Sequence, residues 1–227
     1  MNKERYQRLV GKLIYLTLIR SDLSYVVSVI SQSMNNLSDQ LMKALNRILA
    51  YLKSSLGKGI MFSRHEHLDI KGYTNSDFAE FRLDRKSTQD VSFVGGNLVT
   101  KRSKKQNVVS LSSVETKYQV LHHATMKLTW LRILLNELGF GPKKCMVLFY
   151  DNITTIKITN NLVQHNRIKH IELERNYIKD NLDFGMIKVP YIKNADQLAD
   201  MMTHVATSSL FYTSLSKLGI CDIYAPT

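Results

Sequence analysis

The sequence predicts an α/β fold, in which a mixed sheet carries helices on both faces and follows an N-terminal helical extension. Residues 6–54 place apolar side chains at helical spacing. After the turn signal Ser-Ser-Leu-Gly-Lys-Gly at 54–59, strand-like runs begin, and Gly95-Gly96-Asn97 joins two of them as a hairpin signal. The remaining order, β-β-β-α-β-α-α-β-α, gives five strands. A meander followed by strands with helical connections predicts a mixed sheet.

The predicted helices and strands follow from the spacing of apolar residues and from the turn-forming residues between them. In the extension, helices are predicted up to a break at Arg20-Ser21-Asp22, then over about 23–34 and 39–52. The long helix over 113–138 has an apolar face and is closed by Gly139. The other predicted elements are strands at 59–63, 68–75, 89–94, 97–102, 146–151 and 186–192, and helices at 153–162, 168–182 and 195–205. One short helix is expected in the last 22 residues.

Composition limits the classes of function. The chain has 227 residues, 44% of them hydrophobic and 22% charged, which argues against wholesale disorder. Its 31 Lys+Arg against 19 Asp+Glu give a net charge of +12, which favours a polyanionic partner such as nucleic acid, although a basic protein without such a partner fits too. No apolar run is long enough to cross a membrane, so no membrane partner is predicted. The low count of two cysteines fits a reducing compartment, and we expect the protein to be intracellular, in the cytoplasm or nucleus, and not secreted.

Polar residues fall at four corresponding places in this order of elements. They are Asn75 at the end of the first sheet strand with Asp77 two residues on, Glu115 and Lys117 early in the long helix, Asp151 after the fourth strand, and Asp200 in the last helix. Carboxylates from these four places can converge over the carboxyl ends of the central strands. Such a cluster holds the two metal ions of a phosphodiester hydrolase, which clamp the attacking and leaving oxygens.

Blocks along residues 6–205 resemble the C-terminal part of copia-type retrotransposon Pol polyproteins, from the reverse transcriptase tail through the RNase H domain. The blocks are YQRLVGKLIYLTLIRSDLSY, RILAYLKSSLGKGI, GYTNSDFA, RKST, FVGGNLVTKRSKKQ, SSVETKY, WLRILLNELG, YDNITTIKI, RIKHIEL and QLADMMT. The resemblance implies an RNase H-like domain over 66–205, a helical remnant of the reverse transcriptase over 1–65 and a tail over 206–227. It implies Mg²⁺ as the cofactor and an RNA–DNA hybrid or other nucleic acid as the partner. The missing reverse transcriptase domain would be the ancestral packing partner of the remnant.

The family patterns YTDADWAG, SSAEAEY, DNxxA and LADxxT mark the active-site positions. Asp151 and Asp200 match two of them as catalytic metal ligands, whereas Asn75 replaces the expected Asp and Lys117 replaces the expected Glu. Asp77 is an additional candidate ligand, because it shares the strand face of Asn75 if the strand stays extended. Two remaining carboxylates and an added lysine predict weakened Mg²⁺ binding and impaired cleavage.

Plainer interpretations stay open at this stage. Asp151 and Asn152 together are typical of a strand end followed by a helix cap, and Asp200 alone is typical of an exposed helix residue. The basic run Lys101, Arg102, Lys104 and Lys105 is either a solvated face or part of a track for backbone phosphates. No two aspartates are adjacent, so the chain has no Tyr-x-Asp-Asp polymerase motif. The alternatives to an impaired RNase H are a non-catalytic nucleic-acid-binding module and an unselected transposon relic.

Overall fold

The computed structural model describes residues 3–34, 38–77, 87–105, 113–160, 169–202 and 207–224. The chain forms two compact units, residues 1–61 with 201–227, and residues 62–200. The α-helices are α1 (Lys3–Leu16), α2 (Ser24–Gln32), α3 (Asp39–Ser54), α4 (Ser113–Glu137), α5 (Ile153–Asn160), α6 (Lys169–Asp183) and α7 (Ser208–Lys217). The strands are β1 (Lys58–Ile60), β2 (Ile70–Asp77), β3 (Ser87–Val94), β4 (Asn97–Lys105), β5 (Met146–Tyr150), β6 (Ile187–Lys188) and β7 (Ile220–Asp222).

The first unit is helical, as its apolar spacing predicts. Side chains from α1, α2 and α3 form one buried cluster, and the Tyr6 hydroxyl in α1 donates a hydrogen bond to the Ile30 carbonyl in α2 at 3.1 Å. Ser38 caps α3 by accepting from the Leu41 amide, which satisfies one of the free amides of the first helical turn. In the C-terminal part of the chain, α7 is the predicted short helix, and β7 pairs antiparallel with β1. Within the described residues, no helix is long and apolar enough to cross a bilayer.

The second unit contains the predicted mixed sheet of five strands, in the order β4-β3-β2-β5-β6. Strands β2, β3 and β4 form the antiparallel meander, whereas β2–β5 and β5–β6 pair in parallel. The predicted hairpin lies between β3 and β4, where Gly95 and Gly96 both have positive φ angles, +57° and +80°. A two-residue turn with two positive φ angles matches the twist of the strands and favours glycine at both positions.

Helices α4, α5 and α6 pack on one face of this sheet. Its buried cluster joins Tyr118, Leu121, Leu128 and Ile178 of α4 and α6 to the inward residues of the strands, with Ile156 of α5 packed against it. Because side chains alternate along a strand, Tyr73 and Asn75 of β2 point to the opposite face. The 3-10 helices at Asn194–Asp196 and Leu198–Met202 lie on that opposite side, where Asp200 contacts Asn75. The fold class is therefore the predicted RNase H-like one.

Two of the predicted strands are shorter in the structure. The predicted strand at 186–192 is reduced to β6 and a single bridge between Tyr150 and Tyr191, because Pro190 lacks the amide hydrogen that a strand ladder needs. The predicted strand at 59–63 is likewise reduced to β1, and no regular structure is assigned to 61–69. Helix α4 ends at Glu137, one residue before its predicted end.

Candidate functional site

Two of the predicted site residues lie side by side at the carboxyl ends of adjacent parallel strands. Thr74 of β2 is paired with Tyr150 of β5, so the next residues along the two strands are Asn75 and Asp151. Asn75 is only 8% exposed, and Asp151 is half-buried. In a mostly parallel region the carboxyl ends of neighbouring strands form a common edge where ligands bind. The sheet therefore places these two residues where the sequence predicts a site.

Asp200 reaches the same edge from a distant part of the chain. The Asn75 side-chain amide, through Nδ2, donates a hydrogen bond to Oδ1 of Asp200. The contact joins two of the four positions that the resemblance assigns to metal ligands. An amide hydrogen thus lies against the Asp200 carboxylate on the side that faces Asn75. Hydrogen bonds to an ionised carboxylate are stronger than neutral ones, so this contact is a firm link between Asn75 and Asp200.

The segment that carries Asp200 is not the predicted α-helix. The sequence predicts a helix over 195–205, but the described residues form the two short 3-10 helices, and residues 203–206 lie outside the described part. Gln197 separates them with an extended backbone, φ −74° and ψ 101°. Its side chain is nearly buried, donates to the Thr74 carbonyl at 3.0 Å and accepts from the Ala199 amide at 3.3 Å. The hydrogen bond from Gln197 thus holds this segment against β2, and the segment forms two 3-10 helices in place of the predicted α-helix.

Helix α4 is fixed at this end of the sheet by its backbone. The Tyr150 hydroxyl donates to the Lys117 carbonyl at 3.3 Å, and Lys117 itself is half-buried. Lys117 therefore lies in the turn of α4 that is attached next to Asp151. Strand β2 keeps a regular register through Asp77, which pairs with Ser87, but the side chains of Asp77 and Glu115 lie outside the described part of the chain.

Asn152 has a structural role of its own. Its Oδ1 accepts hydrogen bonds from the Thr155 amide and the Thr155 hydroxyl, both at 2.8 Å, at the start of α5. A side-chain oxygen in this position caps a helix. Asn152 therefore caps α5, so a capping role does not explain the carboxylate at Asp151.

An aromatic cluster lies under the site on the same face of the sheet. Tyr73 stacks on Phe149 with ring centroids 4.8 Å apart and meets Phe93 edge-on at 5.8 Å. Burial raises the pKa of the Tyr73 hydroxyl, and the nearby Asp196 carboxylate raises it further. This cluster was not predicted from the sequence, although alternation along each strand places the three rings on the sheet face opposite α4. The three rings form an apolar surface beside Asn75 on this face of the sheet.

The predicted basic run does not form one surface. Lys101 of β4 is opposite Val91, which is opposite Tyr73, so Lys101 shares the face of the site at about 10 Å from β2. Arg102 is opposite Asp90 and points to the α4 face, where Asp90 pairs with Lys127 at 3.3 Å. Strand β4 continues through Lys104 and Lys105, whose side chains lie outside the described part.

The donor set fits a pair of divalent cations poorly. Among the residues that the structure describes, no three His, Cys, Asp or Glu side chains are placed to hold a metal ion together. The Asn75 amide hydrogen points at Asp200, so an ion between them would first have to break that bond. Lys117 adds a positive charge on the turn of α4 that is attached next to Asp151, and a positive charge there opposes a divalent cation. Carboxylate sites for Mg²⁺ have the opposite charge balance.

Comparison with known proteins gives the chain its family. The Pol polyprotein of transposon RE1 from Arabidopsis thaliana is 32% identical over 219 residues, 96% of this chain. The chain belongs to the copia-type retrotransposon Pol polyprotein family. The Pol polyprotein of transposon TNT 1-94 from Nicotiana tabacum is 31% identical over 222 residues, 97% of the chain. The chain spans only 15% and 17% of the length of these two relatives.

No family model matches the sequence. Among solved structures, the N-terminal RNase H domain of a Mycobacterium tuberculosis protein, solved as a fusion with maltose-binding protein, aligns with a TM-score of 0.43 at 8% identity. That alignment covers 66% of this chain and 97% of the other. The unit over 62–200 contains the mixed five-stranded sheet of the predicted RNase H-like fold class.

Proposed function

We propose that this copia-type Pol chain carries an RNase H-like domain whose cleavage of RNA in RNA–DNA hybrids is impaired. The observation that carries the proposal is the hydrogen bond from Asn75 to Asp200, which puts an amide where the family pattern has a carboxylate. In the family's activity, as the resemblance implies, Mg²⁺ supplies activation of the attacking water and neutralisation of charge on the phosphate. Here Asp151 and Asp200 are the carboxylates that would hold the ion, and Asn75 and Lys117 oppose a second one.

The test restores both family residues together. We expect the native chain to show no Mg²⁺-dependent cleavage of a labelled RNA–DNA hybrid above buffer, and the variant Asn75→Asp/Lys117→Glu to gain about tenfold or more. Adding Asp151→Asn to that variant is the matched control and should remove the gain. Circular dichroism establishes that each variant is folded. Cleavage by the native chain at the level of the double variant, or no cleavage by the folded double variant, would contradict the proposal.

A second function, metal-independent binding of nucleic acid, is favoured by the placement of Lys101. This residue shares the sheet face of Asn75, whereas its neighbour Arg102 lies on the face that carries α4. A phosphate backbone that crosses the candidate site would therefore approach Lys101 and not Arg102. The net charge of +12 supports a polyanionic partner.

Lys101→Glu and Arg102→Glu form a matched pair for this function, because each changes the charge by the same amount on opposite faces of one strand. In EDTA, we expect hybrid affinity to fall about tenfold for Lys101→Glu and about twofold or less for Arg102→Glu, measured by fluorescence anisotropy. Affinity of the native chain should fall at least about tenfold between about 50 and 300 mM salt. Equal losses for the two variants, or binding that ignores salt, would count against this face as the binding surface.

A further inference from the structure

The hydrogen bond between Asn75 and Asp200 links the end of β2 to the segment over 197–200. The same segment is also linked by the bond from Gln197 to the Thr74 carbonyl, one residue before Asn75. Asn75 and Gln197 are 8% and 4% exposed, so both links are shielded from water. Residues 197–200 are thereby attached to adjacent residues of one strand.

Because position 75 carries a neutral amide and not a carboxylate, its contact with Asp200 contains one negative charge and not two. An amide presents a donor hydrogen to the Asp200 carboxylate, so the pair is attractive without any ion. An aspartate at position 75 would present a second acceptor, and two ionised carboxylates at this separation repel each other unless a cation lies between them. The amide nitrogen therefore does here what a bound cation does between two carboxylates.

We propose that the Asn75–Asp200 hydrogen bond replaces a metal ion as the link that holds the 197–200 segment on the sheet, so that the domain folds and keeps this edge closed without a divalent cation. This inference extends the proposed function but makes a separate claim. Impaired cleavage concerns a reaction, whereas the link concerns what attaches Asp200 to β2. Thermal unfolding of the full chain reports on the link and does not depend on cleavage.

The first experiment measures the melting temperature in EDTA and at increasing MgCl₂, with ionic strength held constant by NaCl. We expect the native chain to move by less than about 1 °C. Asn75→Asp should melt about 4 °C or more below the native chain in EDTA and recover with Mg²⁺. Asn176→Asp, which adds the same charge at an exposed position in the middle of α6, is the control and should show neither effect. A native chain stabilised progressively by Mg²⁺ would overturn the inference while leaving the cleavage result to stand by itself.

A second pair of variants separates a hydrogen bond from metal ligation at Asp200. Asp200→Asn keeps an oxygen that accepts from Asn75, whereas Asp200→Ala removes it. We expect Asp200→Asn to melt within about 2 °C of the native chain in EDTA and Asp200→Ala to melt clearly lower. If the two variants are equally destabilised, the hydrogen bond is not the link. If both match the native chain, Asp200 does not hold the segment, and the inference fails as well.

Discussion

Asp22→Ala is expected to lower the free energy of unfolding of the helical unit by about 3–5 kcal/mol. The Asp22 side chain is fully buried and accepts hydrogen bonds from Nε and Nη2 of Arg20, at 3.0 and 2.7 Å, and from the Tyr51 hydroxyl at 2.8 Å. Arg20 also donates to the carbonyl and hydroxyl of Ser55. Removing the carboxylate leaves a guanidinium that is 5% exposed without its counter-charge. An uncompensated buried charge is among the most destabilising changes that a protein core can undergo.

The same network shifts two pKa values in a consistent direction. The hydrogen bonds to Asp22 raise the pKa of the Arg20 guanidinium. Burial, together with the hydrogen bond to Asp22, raises the pKa of the Tyr51 hydroxyl to about 12. A tyrosine whose folded pKa lies above its unfolded value contributes stability that is fully present at neutral pH and is lost only as the pH rises toward 12. The network is therefore fully formed across the physiological range.

Hydrogen exchange of the α1–α3 amides measures the effect of Asp22→Ala on this unit, because the chain's single tryptophan, Trp130, lies in the other unit. Asp22→Asn keeps the shape and one acceptor but also leaves the Arg20 guanidinium without its counter-charge, so it should lose most of what Asp22→Ala loses. The double replacement Arg20→Met/Asp22→Leu should lose less than Asp22→Ala, because no charge is left buried. Equal protection in native chain and Asp22→Ala would show that the pair does not stabilise the helices.

The hairpin, the long helix and the alternation along β2 could be predicted from sequence because each rests on local chemistry. Two glycines in succession specify a two-residue hairpin turn, and the structure has both with positive φ at 95–96. The apolar period over 113–138 and Gly139 at its end define α4 to within one residue. Alternation along β2 predicts which side chains share a face, and Tyr73 and Asn75 do share one. Signals of this kind need no knowledge of distant parts of the chain.

The contact between Asn75 and Asp200 could not be predicted in the same way. A family pattern places both residues at one site, but it does not say whether an amide at position 75 turns toward Asp200 or away from it. The result depends on Gln197, whose buried side chain holds the segment against Thr74 and prevents an α-helix there. Residues 195–205 have a helical period, so local preference and tertiary contacts disagree, and the tertiary contacts prevail. The basic run at 101–105 shows the same limit, because strand alternation separates residues that are adjacent in sequence.

Gly72→Val is expected to lower the free energy of unfolding of the sheet unit by about 1–3 kcal/mol. A Cβ atom at Gly72 would lie 3.0 Å from Cδ1 of Leu148 in β5 and 3.1 Å from both δ-carbons of Leu128 in α4. Both leucines are buried in the core, so they have little room to withdraw. A valine adds two further methyl groups at this close approach and moves α4 away from β2. The same displacement carries Lys117 away from the strand ends, because α4 holds that residue there.

Urea unfolding followed by Trp130 fluorescence measures this loss, since Trp130 lies on α4. Gly72→Ala should lose much less than valine, because leucine termini can shift by a few tenths of an ångström and alanine also lowers the entropy of the unfolded chain. Lys71→Val is the control within the same strand and unit, because the Lys71 side chain is exposed and valine favours strands. If Gly72→Val is as stable as the native chain, the approach of α4 to β2 does not require a glycine. The attachment of α4 would then rest on other contacts, such as the Tyr150 hydrogen bond, the ion pair between Asp90 and Lys127, and the surrounding apolar side chains.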